Sequence, residues 1–121
     1  MSGSRAKIVA IVDDDRNLRL ALEDLLESAG LRGELYASGE DFISRKGYLT
    51  SDCILTDLRM PGMSGIELLR RLREDGIEQA VIIMTSYRDP DAAAVAIKLG
   101  ACAFLRKPLD SNELLNLLRP P

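Results

Sequence analysis

The chain of 121 residues contains no histidine, and it has only two cysteines, Cys53 and Cys102. Without histidine, serine–histidine and cysteine–histidine nucleophile pairs, histidine metal triads and a phosphohistidine on this chain are excluded. The cysteines form no CxxC motif, so the sequence indicates neither a zinc site nor a redox pair. We expect both cysteines to be small buried hydrophobic residues. Any covalent chemistry must therefore use another nucleophile.

Long apolar runs and a strong charge of one sign are also missing. The longest unbroken apolar run is Ala92 to Ile97, far too short to cross a bilayer, and no signal peptide is evident. The net charge is -3, and no basic stripe with interleaved aromatic residues occurs. We therefore expect no direct binding of this segment to nucleic acid or to a membrane. A cytoplasmic protein is the simplest expectation.

Length and composition predict a single domain with an ordinary core. Hydrophobic residues make up 46% of the chain and charged residues 29%, as in soluble globular proteins. We expect residues 1–6 to be a flexible N-terminal tail and residues 7–118 to form the domain. Residues 119–121 end in Pro-Pro, which cannot continue a helix, so they are expected to be the start of a linker or the C-terminal end.

Apolar runs alternate with segments of helical periodicity five times along the chain. Several residues suit helix N-termini: Asp15 before the first helix, Ser64 with Glu67 at the capping-box spacing, and Asp89-Pro90 before the fourth helix. Such alternation predicts an α/β protein with a doubly wound parallel sheet, helices on both faces and strand order 2-1-3-4-5. The apolar runs predict strands near residues 8–12, 33–37, 52–56, 80–84 and 101–106.

Polar residues follow four of these five runs, at the point where each run ends. Asp13-Asp14-Asp15 follow the first run, Asp57 the third, Thr85-Ser86 the fourth and Lys107 the fifth. The carboxyl ends of parallel strands meet at one edge of a sheet, and ligands of open α/β sheets bind there. The predicted order makes the first and third strands neighbours. The sequence thus places carboxylates, a hydroxyl and an ammonium at one edge.

These residue types suit a divalent cation and a phosphoryl group. Asp14 and Asp57 are expected to share one Mg²⁺ (or Mn²⁺), with Asp13 as a water-mediated partner. Without metal, crowded carboxylates repel one another, so at least one pKa should rise. A carboxylate can also attack phosphorus, and the transfer then needs mostly placement and charge neutralisation, which Thr85 and Lys107 offer. A cis Lys107-Pro108 bond is permitted and would aim Lys107 over the edge.

Four motifs together resemble the receiver domains of bacterial two-component response regulators. The run DLRMPGMSG with FLRKPLD is most similar to receivers of the nitrogen-fixation regulator type, which are LuxR-type transcription factors. The resemblance covers nearly all of residues 7–118 and implies a flavodoxin-like (βα)5 fold and a phosphorelay domain rather than an enzyme. The motifs are IVDDD at 11–15, LTDLRMPGMSGIELL at 55–69, IIMTS at 82–86 and FLRKP at 104–108.

The resemblance also implies a role for each residue at the edge. Asp57 would be the phosphoacceptor, and Thr85 the switch hydroxyl. Phe104 stands where the family has its switch aromatic, although on its own it is more typical of a core residue. Lys107 would contact the phosphoryl group. The metal would be held by Asp13, Asp14 and Asp57, with the backbone carbonyl of Arg59 as a further ligand.

The implied mechanism is a population shift driven by Mg²⁺-dependent phosphoryl transfer to Asp57. The donor would be the phosphohistidine of a sensor histidine kinase or of a phosphotransfer protein. Thr85 and its loop would move inward and Phe104 would fill the vacated space. This would reshape the face of the fourth helix, fifth strand and fifth helix, through which a homodimer is expected. Arg59 and Tyr87 would flank the water approach and slow self-hydrolysis.

Two alternatives remain open at this point. A haloacid-dehalogenase-type phosphatase would use Asp13 as the nucleophile of a DxD motif with Asp15. Against it, position 17 is Asn where that motif has Thr or Val, and no acidic pair follows Lys107. A phosphorylation-independent pseudo-receiver would be a pure binding module, but such domains usually lack an acid or the lysine, and both are present. The position of an acyl phosphate separates these hypotheses.

Overall fold

The computed structural model describes residues 6–119. The predicted tail and linker lie outside this range except for Ala6 and Arg119. A 3-10 turn at Gly47–Leu49 precedes the third strand, and the strand bounds agree with the predicted ones to within two residues. The elements are β1 Ile8–Val12, α1 Arg16–Ser28, β2 Arg32–Tyr36, α2 Gly39–Ser44, β3 Cys53–Asp57, α3 Gly65–Glu74, β4 Ala80–Thr85, α4 Pro90–Lys98, β5 Ala103–Arg106 and α5 Ser111–Leu118.

The five strands form one parallel sheet in the order β2-β1-β3-β4-β5, as predicted. β1 pairs with β2 on one side and with β3 on the other. The chain therefore adds β2 on one side of β1 and the later strands on the other side, so the order of strands changes direction between β1 and β3. In the register of the sheet Val12 lies opposite Thr56, and Asp57 lies opposite Met84. The residues that follow β1, β3, β4 and β5 therefore all emerge at one edge, where α/β sheets bind ligands.

A separate hydrophobic core lies between each face of the sheet and the helices that cover it. Successive strand residues point to opposite faces, so a strand buried on both faces is continuously apolar. This explains the unbroken runs in the sequence. α2, α3 and α4 cover one face, with the core residues Ala10, Val12, Phe42, Ile54, Leu68, Leu69, Leu72, Val81, Ile83 and Ala96. α1 and α5 cover the other face, with Val9, Ile11, Leu22, Leu26, Cys53, Leu55, Ile82, Met84, Leu114 and Leu118. No helix within residues 6–119 has the length and apolar character needed to span a bilayer.

The predicted helix starts are confirmed by their capping bonds. Asp15 accepts hydrogen bonds from the backbone N–H groups of Asn17 and Leu18. Ser64 and Glu67 form both bonds of a capping box at α3. A Cβ at Gly65 would collide with the carbonyl oxygen of Asp57, so glycine lets α3 begin tightly against the end of β3. The caps thus fix where the loops at the carboxyl edge end.

The prediction that both cysteines are buried is wrong for Cys102. Cys53 is buried in β3, and this burial raises the pKa of its thiol to about 11. Cys102 is exposed because it lies in the bend before β5, the strand at the edge of the sheet. Its backbone N–H donates a hydrogen bond to the carbonyl of Val81 at 2.7 Å.

Candidate functional site

Three carboxylates meet at the carboxyl edge of the sheet. Asp13 and Asp14 directly follow β1, and Asp57 is the last residue of β3. One carboxylate oxygen from each lies within 4.8 Å of the other two. Asp13 is fully buried and Asp57 is 7% exposed, whereas Asp14 is exposed to solvent. The pairing of β1 with β3 thus brings together acids that stand more than 40 residues apart.

The Lys107 ammonium reaches this cluster from β5. Its Nζ lies 2.9 Å from Oδ2 of Asp13 and 3.3 Å from Oδ1 of Asp57. The peptide bond between Lys107 and Pro108 is cis, and the N–H of Lys107 donates to the carbonyl of Thr85 at 2.7 Å. Burial alone would lower the pKa of Lys107, but the hydrogen bond and charge of Asp13, together with Asp57, outweigh it and raise that pKa. Lys107 is therefore a permanent cation at neutral pH.

The Asp57 carboxylate lies in an environment that disfavours its charge. Burial is the main cause that raises the pKa of Asp57, and the negative charge of Asp13 raises it further. Lys107 and the N–H of Leu58, which donates to Oδ1 of Asp57 at 3.0 Å, act in the opposite direction without reversing the shift. The expected rise in a pKa is therefore found, although burial contributes more to it than crowding does.

The cluster fits a divalent cation by its chemistry. The ligand atoms are carboxylate oxygens, which Mg²⁺ and Mn²⁺ prefer, and the Lys107 ammonium pairs with two of the three acids, Asp13 and Asp57. The exposed Asp14 leaves the cluster open to solvent, so an ion has an entry path. Arg59 lies two residues beyond Asp57 in the loop that leads to α3. Its predicted role as a carbonyl ligand stays a prediction.

Thr85 ends β4, and Phe104 lies on the neighbouring strand β5, opposite Ile83. Thr85 is buried, and its hydroxyl oxygen accepts a hydrogen bond from the N–H of Tyr87 at 3.1 Å. Phe104 is half-buried and packs against the core under α4. Both residues line a cavity of about 210 Å³ together with Tyr87 and Asp89. The structure thus brings the predicted switch pair to the wall of one cavity.

Three further side chains support the site through contacts that the sequence does not indicate. Arg19 of α1 donates to the carbonyl of Asp13 at 2.7 Å. Glu40 of α2 accepts from the N–H of Met63, in the loop after β3, at 3.0 Å. Asp89 accepts from the Arg59 guanidinium at 3.0 Å. Arg19 and Glu40 bond to backbone groups, which any residue carries, so no residue pattern could have revealed them.

This sheet topology, with three carboxylates, a threonine and a lysine at its carboxyl edge, defines the receiver class of α/β proteins. The sequence model of the family described as response regulator receiver domain matches residues 9–119, and the chain belongs to that family.

Proteins similar to this chain include regulators of transcription. The transcriptional regulatory protein FixJ of Azorhizobium caulinodans is 43% identical over 111 residues, which are 92% of this chain and 53% of FixJ. The DNA-binding transcriptional regulator NtrC of Escherichia coli is 40% identical over 111 residues, which are 92% of this chain and 24% of NtrC. The chain therefore spans about half the length of that FixJ and about a quarter of NtrC.

Solved structures agree with the fold. The crystal structure of FixJ-N has a TM-score of 0.85 and 33% sequence identity, over 95% of this chain and 92% of that one. The BeF3-activated DrrB receiver domain has a TM-score of 0.82 and 27% identity, over 93% of this chain and 94% of that one. The flavodoxin-like receiver architecture is thus shared with experimentally determined structures.

Proposed function

We propose that Asp57 accepts a phosphoryl group from the phosphohistidine of a sensor histidine kinase or phosphotransfer protein, with Mg²⁺ (or Mn²⁺) as cofactor. One observation carries this proposal, the convergence of Asp13, Asp14, Asp57 and the Lys107 ammonium at the carboxyl edge. Asp57 ends β3, which pairs with β4, the strand that ends at Thr85, whereas Asp13 and Asp14 follow β1, which does not pair with β4. Oδ1 of Asp57 also lies 3.3 Å from the Lys107 ammonium, and unlike Asp13 this acid is not fully buried.

The residues present can perform the transfer. Oδ1 of Asp57 is held by Lys107 and by the N–H of Leu58, so Oδ2 is the proposed nucleophile. A bond forms between Oδ2 and phosphorus while the bond from phosphorus to the donor nitrogen breaks, and the donor imidazole leaves. Lys107 and the Thr85 hydroxyl would then contact phosphoryl oxygens. A bound Mg²⁺ would supply further neutralisation of negative charge.

The switch would pass through Thr85 to the face of α4, β5 and α5. Thr85 would turn toward the phosphoryl group, and the half-buried Phe104 would move within the cavity of about 210 Å³ that both residues line. The helices α4 and α5 carry the exposed apolar side chains Val95, Ile97 and Leu117. Exposed apolar side chains suit an output or dimerisation surface. A homodimer of the phosphorylated form through this face is part of the proposal.

The longer relatives suggest the context of the domain. We propose residues 7–118 as the receiver unit, residues 1–6 as a flexible tail and residues 119–121 as the start of a linker or the C-terminal end. FixJ and NtrC are transcription regulators, so this receiver is proposed to control transcription in a cytoplasmic protein. Self-hydrolysis of the acyl phosphate would make the domain its own slow phosphatase, with Arg59 and Tyr87 beside the approach of water.

The alternative with Asp13 as a phosphatase nucleophile is poorly supported by the geometry. Its DxD motif would need Asp15 beside the reacting group, but Asp15 caps α1 and does not belong to the acidic cluster. Asp13 is fully buried and bonded to Lys107 at 2.9 Å, which leaves little access for a substrate.

Intact mass after incubation with Mg²⁺ and acetyl phosphate tests the proposal. We expect the wild-type chain to gain one phosphoryl group, and Asp57→Asn or excess EDTA to abolish the gain. Asp24→Asn removes an exposed aspartate of α1 and should phosphorylate like the wild type. An unmodified wild type would support the pseudo-receiver, and an equal gain in Asp57→Asn would show that another residue is the acceptor.

A further inference from the structure

The two carboxylate oxygens of Asp89 have different partners. Oδ1 accepts from the N–H of Ala92 at 3.0 Å and so caps α4. Oδ2 accepts from the Arg59 guanidinium at 3.0 Å. The side chain of Asp89 is 26% exposed and that of Arg59 is 59% exposed. One residue therefore caps a helix and forms an ion pair with a different loop.

This ion pair joins the two loops that border Asp57. Arg59 lies in the acceptor loop, which we define as residues 58–64 between β3 and α3. Asp89 lies at the end of the loop that follows Thr85. The same guanidinium also lies 5.6 Å from the centre of the Tyr87 ring, within the range of a cation–π contact. The Arg59 side chain thus crosses from the loop after β3 to the loop after β4.

A phosphoryl group on Asp57 would compete with Asp89 for Arg59. An ion pair this exposed is weak, because solvent screens both charges. A phosphoryl group carries close to two negative charges and three strong acceptor oxygens. A guanidinium is well suited to such an oxygen set, since its N–H groups match it in geometry. The acyl phosphate would form only two residues from Arg59 in the chain.

We infer that Asp89 sequesters Arg59 in the unmodified protein, and that Arg59 leaves Asp89 to contact the phosphoryl group when Asp57 is modified. The inference rests on the proposed function of Asp57. When Arg59 leaves, the cap of α4 stays, but the tie between α4 and the acceptor loop is lost. Asp89 also borders the cavity lined by Thr85 and Phe104. The ion pair with Arg59 therefore restrains the wall of the cavity in which Thr85 and Phe104 would move. Asp89 therefore opposes activation.

Binding of beryllofluoride with saturating Mg²⁺, followed by fluorine NMR, tests this exchange of partners, since beryllofluoride mimics a phosphoryl group on a carboxylate. Asp89→Asn keeps a good N-cap but removes the charge that holds Arg59. We expect Asp89→Asn to tighten binding about three-fold, the size of a typical exposed ion pair. Arg59→Gln should weaken binding by a similar factor. In the double variant Asp89→Asn should add nothing, because no guanidinium remains to be released.

The matched control is Asp110→Asn, since Asp110 caps α5 through the N–H of Glu113 at 3.1 Å and forms no ion pair within residues 6–119. It should leave affinity unchanged. Unchanged or weaker binding in Asp89→Asn, or tighter binding in Arg59→Gln, overturns the inference. A wild type that does not bind beryllofluoride, or an Asp57→Asn variant that binds equally well, instead overturns the proposed function. Because Arg59 and Asp89 are changed separately, one misfolded variant leaves the other as a test.

Discussion

The charged groups at the two edges of the sheet have different kinds of partner. At the amino edge, where the strands begin, charged and amide side chains form hydrogen bonds with backbone groups. Arg73 of α3 donates to the carbonyls of Ile77, Gln79 and Gly100, at 2.7, 3.1 and 3.3 Å. At the same edge Lys7 donates to the carbonyl of Leu118 at 2.8 Å, Asp52 accepts from the N–H of Ile8 at 2.8 Å, and the Gln79 amide donates to the carbonyl of Tyr48 at 2.6 Å.

At the carboxyl edge, the charged groups face one another instead. Three carboxylates lie together, the Lys107 ammonium pairs with two of them, and the pKa of Asp57 is raised mainly by burial and further by the charge of Asp13. A charged side chain that hydrogen-bonds to backbone carbonyls stabilises the fold without a ligand. An acidic cluster, in contrast, gains its full stabilisation only when a cation binds. Changes at the amino edge should therefore alter stability, and changes at the carboxyl edge should alter the response to metal and phosphoryl donors.

Arg73→Ala should have the largest effect on stability. The substitution removes a charged donor from three carbonyls that lie on two different segments, Ile77–Gln79 and Gly100. Hydrogen bonds to charged groups contribute about 1.5–3 kcal/mol each when buried, and these are partly exposed, so we expect a total loss of about 3 kcal/mol. Urea unfolding measures the loss. Phosphorylation of the folded variant by acetyl phosphate should proceed as in the wild type.

Arg71→Ala is the matched control for this prediction. Arg71 lies on the same helix, but its partner is the exposed Asp75 at 3.2 Å. Removing an exposed pair at this spacing should cost no more than about 0.5 kcal/mol. Equal effects of the two substitutions would mean that the carbonyl bonds at the amino edge do not stabilise the fold. A folded Arg73→Ala chain that no longer accepts a phosphoryl group would contradict the view that the amino edge serves stability and the carboxyl edge serves the phosphoryl response.

Lys107→Ala should have the next largest effect, and the effect should depend on metal. Without metal, the substitution leaves Asp13 and Asp57 facing each other with no cation, which should destabilise the fold by about 2 kcal/mol at a partly exposed site. Mg²⁺ should still bind and restore much of that loss, because the metal would replace a missing positive charge. Urea unfolding in EDTA and in Mg²⁺ gives both values.

The same variant should lose its conformational response. With Lys107 absent, the phosphoryl group lacks the cation that connects β5 to the site, so chemical shifts in α4 and β5 should change little on phosphorylation. Lys98→Ala, at the exposed end of α4, is the control. A Lys107→Ala chain that no longer binds Mg²⁺ would contradict the assignment of Lys107 to the phosphoryl group rather than to the metal site.

The two edges also differ in how well the sequence predicted them. The carboxyl edge was predictable because Asp13, Asp57, Thr85 and Lys107 each follow an apolar run, and parallel strands bring such positions together. The amino edge was not, because Arg73 looks like any basic residue of an amphipathic helix. Its acceptors are backbone carbonyls, and one of them lies 27 residues away in sequence. Side-chain chemistry leaves a pattern in sequence, whereas backbone acceptors leave none.

The same reasoning explains the error at Cys102 and the second role of Asp89. Cys102 was assigned by residue type, although the predicted order already placed β5 at the sheet edge, and the bend before that strand leaves Cys102 exposed. Asp89 was recognised as a helix cap from its position before Pro90, and that role is confirmed. Its pairing with Arg59 at 3.0 Å depends on how two loops approach one another. Loop geometry follows from the packed sheet and not from local spacing.

Asp57→Asn should have the smallest effect on stability. The pH dependence of that effect tests whether the charge on Asp57 destabilises the metal-free fold. The pKa of Asp57 is raised above 3.8 in the folded chain, so the folded state binds the proton more tightly than the unfolded state does. Below pH 3.8 both states hold the proton and no penalty exists. As pH rises through the raised folded pKa, the metal-free wild type loses stability. The asparagine variant carries no such charge, so its advantage in stability over the wild type should grow across this window and then stay constant at neutral pH.

Thermal unfolding in EDTA from pH 4 to 7 measures this difference in stability. Mg²⁺ should make the wild type the more stable of the two chains, because only the wild type keeps all three carboxylates. A wild type that gains stability over Asp57→Asn as pH rises in EDTA would show that Lys107 more than compensates for burial, and that the acidic cluster is satisfied without a ligand.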